Sequence, residues 1–226
     1  MPRTSRASLG GICYHVLNRG NARMRIFAGD DDYLGFIELL QLANERLPMR
    51  LLTACLMPNH FHLVLWPHKD GDLSRWMQWL LTSHVRRYHK RRGPESSGHV
   101  WQGRFRAFPI QSDDHLFTVM RYVERNPVRA KLVRRAERWR WSRLWSGQPG
   151  HPAGLFSPPP LALPRNWLER VNRPETAAEL AALQHSAHRG TPFGTPEWAT
   201  RTAAKLGLES SLNPRGRPRV TEEETK

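Results

Sequence analysis

Residues 50–66 read RLLTACLMPNHFHLVLW and carry the clearest secondary-structure signal of the sequence. Two runs of apolar and β-favouring residues, 50–57 and 60–66, stand on either side of Pro58 and Asn59. Proline and asparagine suit tight turns, because proline fixes its own backbone angle and asparagine can bond to the backbone of the turn. The sequence therefore predicts a β-hairpin with its bend at these two positions.

Elements on both sides of the hairpin complete one domain. The predicted elements are strands over 11–17 and 99–111 and helices over 30–46, 72–91 and 112–125. Ser112 is the expected N-cap of the last helix, and Asn126 with Pro127 is expected to end it. This order predicts an α+β fold with a mostly antiparallel sheet and helices on one face, close to the ferredoxin-like arrangement.

A stretch rich in proline and glycine divides the chain. Residues 146–165, SGQPGHPAGLFSPPPLALPR, have the composition of a linker rather than of a core. We therefore expect a main domain over 1–145, a linker over 146–165, and a small C-terminal extension over 166–226. The extension is expected to be partly helical, over 166–184 and 197–208, and to end in a disordered basic tail.

Positive charge is concentrated in the middle of the chain. The 226 residues carry 35 lysines and arginines against 20 acidic residues, a formal net charge of +15. Of these, 17 basic and 6 acidic side chains fall between 71 and 145, an excess of 11, interleaved with tryptophan and phenylalanine. Such a segment is typical of a surface that follows a nucleic-acid backbone, with a solvated helix surface as the alternative.

Cysteine content and hydropathy bear on the compartment. Cys13 and Cys55 are the two cysteines, too few for a disulfide framework and without the spacing of a zinc ribbon. No run approaches the ~20 apolar residues of a membrane-spanning helix. The N-terminal residues also lack the apolar segment of a secretory signal. We therefore expect a cytoplasmic protein without a membrane partner.

Two histidines of the hairpin form the first candidate site. His60 and His62 flank Phe61, and the period of two along a strand turns both imidazoles to one face. A divalent cation can bind between them, but ordinary strand histidines would show the same spacing. Because hard cations prefer oxygen ligands, two nitrogen ligands favour Mn²⁺ over Mg²⁺.

A tyrosine on the last helix of the main domain is the candidate nucleophile. Tyr122 is followed by Asn126 four residues later, on the same helix face. A phenol is a weak nucleophile at neutral pH, so its attack on a phosphodiester needs a cation that polarises the phosphate. The two histidines and an amide oxygen could hold that cation. The alternative is a packed helix residue beside a terminating cap.

Three groups of basic residues are candidates for contacts with DNA. Their members are Arg86, Arg87 and Lys90 near the end of the second helix, Arg104 and Arg106 on one face of a strand, and Arg215 and Arg217 in the tail sequence RGRP. The strand pair has the spacing to bind adjacent phosphates, and the tail motif resembles an AT-hook for a narrow minor groove. Solvated surface positions and a basic tail without a defined role are the alternatives.

Three separated motifs resemble one known family. MPNHFHLVL at 57–65, GRFRA at 103–107 and YVERNPVRAKLV at 122–133 are similar to the REP-associated tyrosine transposases, members of the single-tyrosine HUH superfamily. The resemblance covers roughly residues 11–145, which would form the HUH-type catalytic domain. It continues into the extension, at TPFG (191–194), Trp198, LGLE (206–209) and RGRPR (215–219), and the extension would then recognise DNA.

The resemblance implies a nuclease and strand transferase for single-stranded DNA, acting on hairpins of repetitive extragenic palindromes (REP) at the bacterial nucleoid. His60 and His62 would bind Mg²⁺ or Mn²⁺, and Tyr122 would form a 5′-phosphotyrosine intermediate. Asn126 stands where relatives place a glutamine, as a third metal ligand. A monomer is favoured. Two alternatives stay open: an inactive protein that binds hairpin DNA, and a metal-dependent phosphodiesterase that uses activated water.

Overall fold

The computed structural model describes residues 8–145 and 154–213. Its antiparallel sheet has the strand order β2, β3, β1, β4, with bounds Cys13–Arg19 (β1), Arg50–Met57 (β2), His60–Trp66 (β3) and Arg106–Ile110 (β4). The helices of these residues are Asp30–Arg46 (α1), Asp72–Arg92 (α2), Asp114–Arg129 (α3), Trp167–Asn172 (α4), Ala177–Arg189 (α5) and Pro196–Leu206 (α6). The predicted α+β class is confirmed, and the order β1, α1, β2, β3, α2, β4 is that of the ferredoxin-like unit.

The hairpin of β2 and β3 forms at the predicted positions. Met57 pairs with His60, so Pro58 and Asn59 are the two residues of the bend. The carbonyl of Pro58 accepts hydrogen bonds from Ile26 N at 2.8 Å and from Phe27 N at 3.0 Å. The bend is therefore fixed by the segment between β1 and α1 as well as by its own residue types.

Helices cover both faces of the sheet, which corrects the expected one-sided arrangement. Phe61 and Leu63 of β3 pack with α1 and α2 in one apolar cluster, whereas Val64 packs with α3 in a second cluster. The ferredoxin-like unit places α1 and α2 on the same face, but α3 comes after β4 and crosses to the other. Because buried apolar residues of the sheet point toward both sides, both faces need a cover.

Helix α3 begins and ends differently from the prediction. Asp113, not Ser112, is its N-cap, and its side chain accepts from His115 N. The helix also continues through Pro127 to Arg129. Proline lacks the N–H that would bond to the carbonyl of Val123, and Asn126 Nδ2 donates to that carbonyl at 3.4 Å and to the Tyr122 carbonyl at 3.0 Å. The asparagine side chain thus compensates for the proline.

The predicted strand over 99–111 is only partly correct. Strand β4 begins at Arg106, and before it Trp101 forms an isolated bridge with Gly20. Trp101 and Phe105 are both buried in the cluster beneath α1 and α2. Their rings therefore anchor a loop rather than alternate along a strand.

The C-terminal extension packs against the main domain. Arg173 and Pro174 separate α4 from α5, where one helix over 166–184 was expected, because proline disfavours helix in the residue before it. Trp167, Val171 and Leu183 join the second cluster beside α3. Within the Pro- and Gly-rich stretch, Leu155 is buried, so this part of the expected linker is not a free spacer. The basic tail, residues 214–226, lies outside the described residues.

No helix in residues 8–145 and 154–213 combines the length and the apolar character needed to cross a membrane.

A buried carboxylate joins α3 to three other parts of the structure. Glu124 has no exposed surface, and its Oε1 accepts from Thr53 of β2 at 2.8 Å and from Arg143 Nε at 2.6 Å. Its Oε2 accepts from Trp167 Nε1 of α4 at 2.8 Å. Removing the carboxylate would leave three donors without an acceptor. The resulting loss in free energy of unfolding is larger than that expected from the loss of a single hydrogen bond.

We expect Glu124→Ala to lower the free energy of unfolding by about 3 kcal/mol, measured by urea denaturation. The matched control is Glu169→Ala, which removes an exposed helical ion pair with Arg173 and should cost less than about 1 kcal/mol. Equal, small losses in both variants would contradict a structural role for the buried carboxylate.

A buried histidine makes stability depend on pH. Burial lowers the pKa of His84 on α2 from 6.5 to about 3. Below about pH 6.5, His84 is therefore protonated in the unfolded chain but stays neutral in the folded protein. The free energy of unfolding consequently falls as the pH drops from 6.5 toward 3. At about pH 5 the loss from one such group is about 2 kcal/mol.

We expect His84→Phe, a ring that suits its aromatic neighbours, to reduce the difference in unfolding free energy between about pH 7.5 and about pH 5 by about 2 kcal/mol. His68→Gln, at an exposed position, is the control for replacing a histidine. An identical pH dependence in wild type and His84→Phe would show that this imidazole is not held neutral.

Candidate active site

An open cavity of about 820 Å³ lies at one end of the sheet, on the face covered by α3. Its walls come from the end of β1, the start of β3, the start of β4 with the loop before it, the last turns of α3, and α5. The cavity brings together six of the sequence-predicted residues: His60, His62, Arg104, Arg106, Tyr122 and Asn126. Residues far apart in the chain therefore meet in one place.

The hydrogen bonds of His60 fix its tautomer. Asn59 Nδ2 donates to the carbonyl of Arg23 at 3.2 Å, which identifies the other amide atom of Asn59 as the oxygen. The distance from that Oδ1 to His60 Nδ1 is 2.6 Å, so Nδ1 carries the proton and donates it. Nε2 of His60 then keeps a lone pair, as a metal ligand requires.

His62 is held by a histidine that the sequence prediction did not select. His15 of β1 is fully buried, and its Nε2 lies 2.8 Å from His62 Nδ1. The two rings stack with their centroids 5.0 Å apart. Because His62 pairs with Leu17 in the β1–β3 register, the side chain two residues earlier, His15, shares its face. The pairing of these two strands was the signal that could have identified His15.

All three imidazoles are kept neutral by their surroundings. Burial lowers the pKa of His15 to about 3. Burial, with the positive charges of Arg19 and Arg129, lowers that of His60 to about 4. The pKa of His62 also lies well below its usual value, chiefly because of burial and then because of the neighbouring histidines. Neutral imidazole is the form that binds metal.

Tyr122 lies beside this pair and under an arginine. Its ring stands edge-on to His62 with centroids 5.9 Å apart, and the Arg129 Cζ lies 4.2 Å from the Tyr122 ring centroid. Burial raises the pKa of the Tyr122 phenol, and the charge of Arg129 acts in the opposite direction. The phenol is thus a protonated group in a positively charged setting.

Asn126 has both ends of its amide engaged. Its Nδ2 donates to the Tyr122 carbonyl, and its Oδ1 accepts from Arg129 Nη2 at 2.7 Å. Asn126 lines the cavity, and an amide oxygen has a second lone pair, but a charged donor already orients this one. The role of Asn126 as a third metal ligand stays a prediction.

The cavity is strongly basic. Arg104 and Arg106 both line it, although Arg104 lies in the loop before β4 rather than on the strand as predicted, and their contacts with DNA stay a prediction. Arg19, Arg23 and Arg129, which the prediction did not include, line it as well. No aspartate or glutamate among the described residues lines it. Arg129 escaped the sequence analysis because the helix was expected to end at about residue 125, four residues too early to place Arg129 on the face of Tyr122.

The other predicted DNA-binding residues are elsewhere. Arg86, Arg87 and Lys90 lie on α2, on the opposite side of the sheet, and Arg87 forms an ion pair with Glu38 of α1 at 2.6 Å. The structure therefore does not bring them to the cavity, because α2 packs over the other apolar cluster. Arg215 and Arg217 lie outside the described residues.

The C-terminal extension forms one wall of the cavity. Gln184 and His188 of α5 line it, and His188 Nδ1 lies 3.5 Å from Arg106 Nη1. Neither residue was predicted to lie at the site, since a Pro- and Gly-rich segment separates them from the main domain in the sequence. Their helical spacing of i and i+4 was the local signal that both share one face.

The donor set fits a divalent cation held by few protein ligands. In the described ranges, no three His, Cys, Asp or Glu side chains are arranged to hold a metal ion. The protein would provide Nε2 of His60 and Nε2 of His62, the latter with its Nδ1–H donating to His15 Nε2. The remaining ligands would be oxygens, which Mg²⁺ and Mn²⁺ prefer.

Comparison with known proteins assigns the family. The family model described as "Transposase IS200 like" matches residues 8–126, slightly more than half of the chain. The chain belongs to this family. The matched residues of this IS200-like chain include both histidines, Tyr122 and Asn126, and the family resemblance inferred from the sequence motifs is confirmed.

Individual relatives are more distant. A protein of Haemophilus influenzae named as a REP-associated tyrosine transposase is 26% identical over 106 residues, which are 43% of this chain and 60% of the relative. This chain therefore spans less than two thirds of that relative. A structure of a REP-associated tyrosine transposase bound to a REP hairpin is 20% identical, covers 63% of this chain and 81% of that chain, and has a TM-score of 0.49. A transposase structure from Deinococcus radiodurans is 16% identical, covers 57% and 92%, and has a TM-score of 0.39.

Proposed function

We propose that the chain is a metal-dependent endonuclease and strand transferase for single-stranded DNA, with Tyr122 as the nucleophile of a 5′-phosphotyrosine intermediate. The observation that supports this best is the meeting of Tyr122, His60 and His62 in one arginine-lined cavity. The residues combine a nucleophile, a pair of neutral imidazoles and positive charge for a phosphate.

In this proposal His60 and His62 hold Mg²⁺ or Mn²⁺ through their Nε2 atoms, and His15 and Asn59 hold the two imidazoles in place. When bound, the cation supplies positive charge that polarises the scissile phosphate. Arg104 and Arg106 bind neighbouring phosphates and keep the strand in line with the phenol.

The chemistry assigned to Tyr122 is an in-line displacement. Its phenolic oxygen forms a bond to phosphorus while the bond from phosphorus to the 3′-oxygen breaks. The phenol loses one proton, and the departing oxygen gains one to become a 3′-hydroxyl. The enzyme is left joined to the 5′-phosphate, and attack by another 3′-hydroxyl reverses the step and transfers the strand.

The proposed substrate is a hairpin of the REP type. The H. influenzae relative is named for these elements, and the basic cavity is suited to a phosphate backbone, which is abundant at the nucleoid. Tyr122 and His62 lie side by side within one chain. A monomer could therefore carry out the reaction, with the extension contributing to recognition through α5.

We expect Tyr122→Phe to abolish the covalent adduct with a single-stranded hairpin oligonucleotide while hairpin affinity changes less than about threefold, because the ring and its contact with Arg129 remain. Denaturing gels and mass spectrometry in Mn²⁺ would detect the adduct and locate the modified residue. Tyr88→Phe, on α2 in the other apolar cluster, is the control that should keep the adduct.

The same experiment separates the alternatives. Cleavage without an adduct, unchanged in Tyr122→Phe, would identify a phosphodiesterase that uses water. With Mg²⁺ tested beside Mn²⁺, hairpin binding without cleavage in either metal would identify a binding protein. An adduct that persists in Tyr122→Phe would contradict the assigned nucleophile.

We expect His60→Ala and His62→Ala each to weaken Mn²⁺ binding at least tenfold, because each variant removes one of two imidazole ligands. Each histidine variant is combined with Tyr122→Phe, so that the bound hairpin stays uncut. Mn²⁺ is then titrated into the complex and its binding is followed by electron paramagnetic resonance. His68→Ala, beyond the far end of β3, should bind Mn²⁺ normally. Unchanged Mn²⁺ affinity in both histidine variants would exclude this metal site.

A further inference from the structure

We infer that Arg129 binds the reacting phosphate, and that Glu175 of the C-terminal extension holds it in position to do so. This inference rests on the proposed tyrosine chemistry and adds to it a residue and a role for the extension. The guanidinium of Arg129 lines the cavity, faces the ring of Tyr122 and donates to Asn126, while its Nη1 donates to Glu175 at 3.1 Å.

Spacing along α3 explains why Arg129 is at the site. It follows Tyr122 by seven residues, two helical turns, and therefore lies on the same face. Two of its five N–H groups serve Asn126 and Glu175, and the others remain for an anion. Its side chain is 26% exposed, so it is fixed in place but accessible from the cavity.

A neighbouring arginine shows what a purely structural pair looks like. Three arginines of α3, spaced by four residues, face acids of the extension: Arg121 pairs with Glu179 at 2.9 Å, and Arg125 and Arg129 pair with Glu175 at 3.7 and 3.1 Å. Arg125 is more deeply buried, donates to a backbone carbonyl, and does not line the cavity. Arg129 alone of the three also contacts Tyr122 and Asn126.

The charge balance leaves a positive site. Glu175 is almost fully buried and is shared by two guanidinium groups, so this cluster keeps one net positive charge. Arg129 is the member through which that charge faces the phenol. A guanidinium can donate two parallel hydrogen bonds to a phosphate, and the phosphate gains negative charge on its equatorial oxygens as the phenol attacks.

The test is single-turnover adduct formation on saturating hairpin oligonucleotide. We expect Arg129→Gln to lower the rate about a hundredfold, the usual effect of removing one donor that stabilises a transition state. Arg129→Lys should restore only part of the rate, because an ammonium lacks the planar pair of donors. Free guanidinium, far below denaturing concentrations, should partly rescue Arg129→Ala.

The matched control is Arg125→Gln, which removes the other partner of Glu175 and should change the rate less than about threefold. Glu175→Gln should lower the rate about tenfold, since Arg129 stays but is no longer held. The inference would be overturned if Arg129→Gln and Arg125→Gln lowered the rate equally, in proportion to their loss of melting temperature, and if guanidinium did not rescue Arg129→Ala. Arg129 would then have only a structural role.

A second measurement separates this inference from the proposed function. The affinity of Tyr122→Phe for uncut hairpin is measured over a range of salt concentrations, with and without Arg129→Gln. Loss of one phosphate contact should reduce the salt slope by about one. If the wild type forms no adduct, the proposed function fails, and the slope still decides whether Arg129 contacts phosphate. An unchanged slope would overturn the phosphate contact.

Discussion

The two-residue period of β3 determines both the core and the candidate site. Successive side chains of this central strand point to opposite faces, so Phe61 and Leu63 enter the core under α1 and α2 while His60 and His62 face the other side. A shift of one residue in the register would exchange the two sets and bury the imidazoles in an apolar cluster. The hairpin bend, fixed at Pro58 by the segment that follows β1, protects the register against that shift. Core and site are therefore two consequences of one strand alignment.

Helix α3 must be fixed on the sheet for its tyrosine to meet those histidines. Glu124 does this from the middle of the helix, where its carboxylate bonds to β2, to Arg143 and to α4. Tyr122 is only two residues away, on the side that faces the cavity. Asn126 acts one turn later by bonding to the carbonyl that Pro127 cannot serve, so the helix continues to Arg129. The buried polar groups of α3 thus set the position of its reactive face.

Local patterns predict much of this arrangement, and pairing between distant segments accounts for what they miss. The hairpin and α1 lie at the predicted positions because each is determined by short-range signals: turn residues, alternation, and an acidic first turn. His15 was not selected, because its partner belongs to another strand and the two rings meet only through the strand register. The end of α3 was misplaced because a side-chain hydrogen bond overcomes the usual effect of proline. The extension was assigned to a separate unit because composition does not show that Trp167 and Val171 complete a core.

Positive charge at the site acts on each of the groups that surround the cavity. Arg19 and Arg129 lower the pKa of His60, which keeps that imidazole neutral and able to bind a cation. The same two charges oppose the effect of burial on the pKa of Tyr122, and so favour the phenolate that forms as the nucleophile attacks. They also attract a phosphate backbone. A carboxylate placed in the cavity would act against all three effects. Within residues 8–145 and 154–213 no acid lines the cavity, and the side chain of Glu175, which pairs with Arg129, is almost fully buried. The electrostatic pattern is therefore consistent: Glu175 holds Arg129, and Arg129 lines the cavity together with Arg19, Arg23, Arg104 and Arg106, where a phosphate would react.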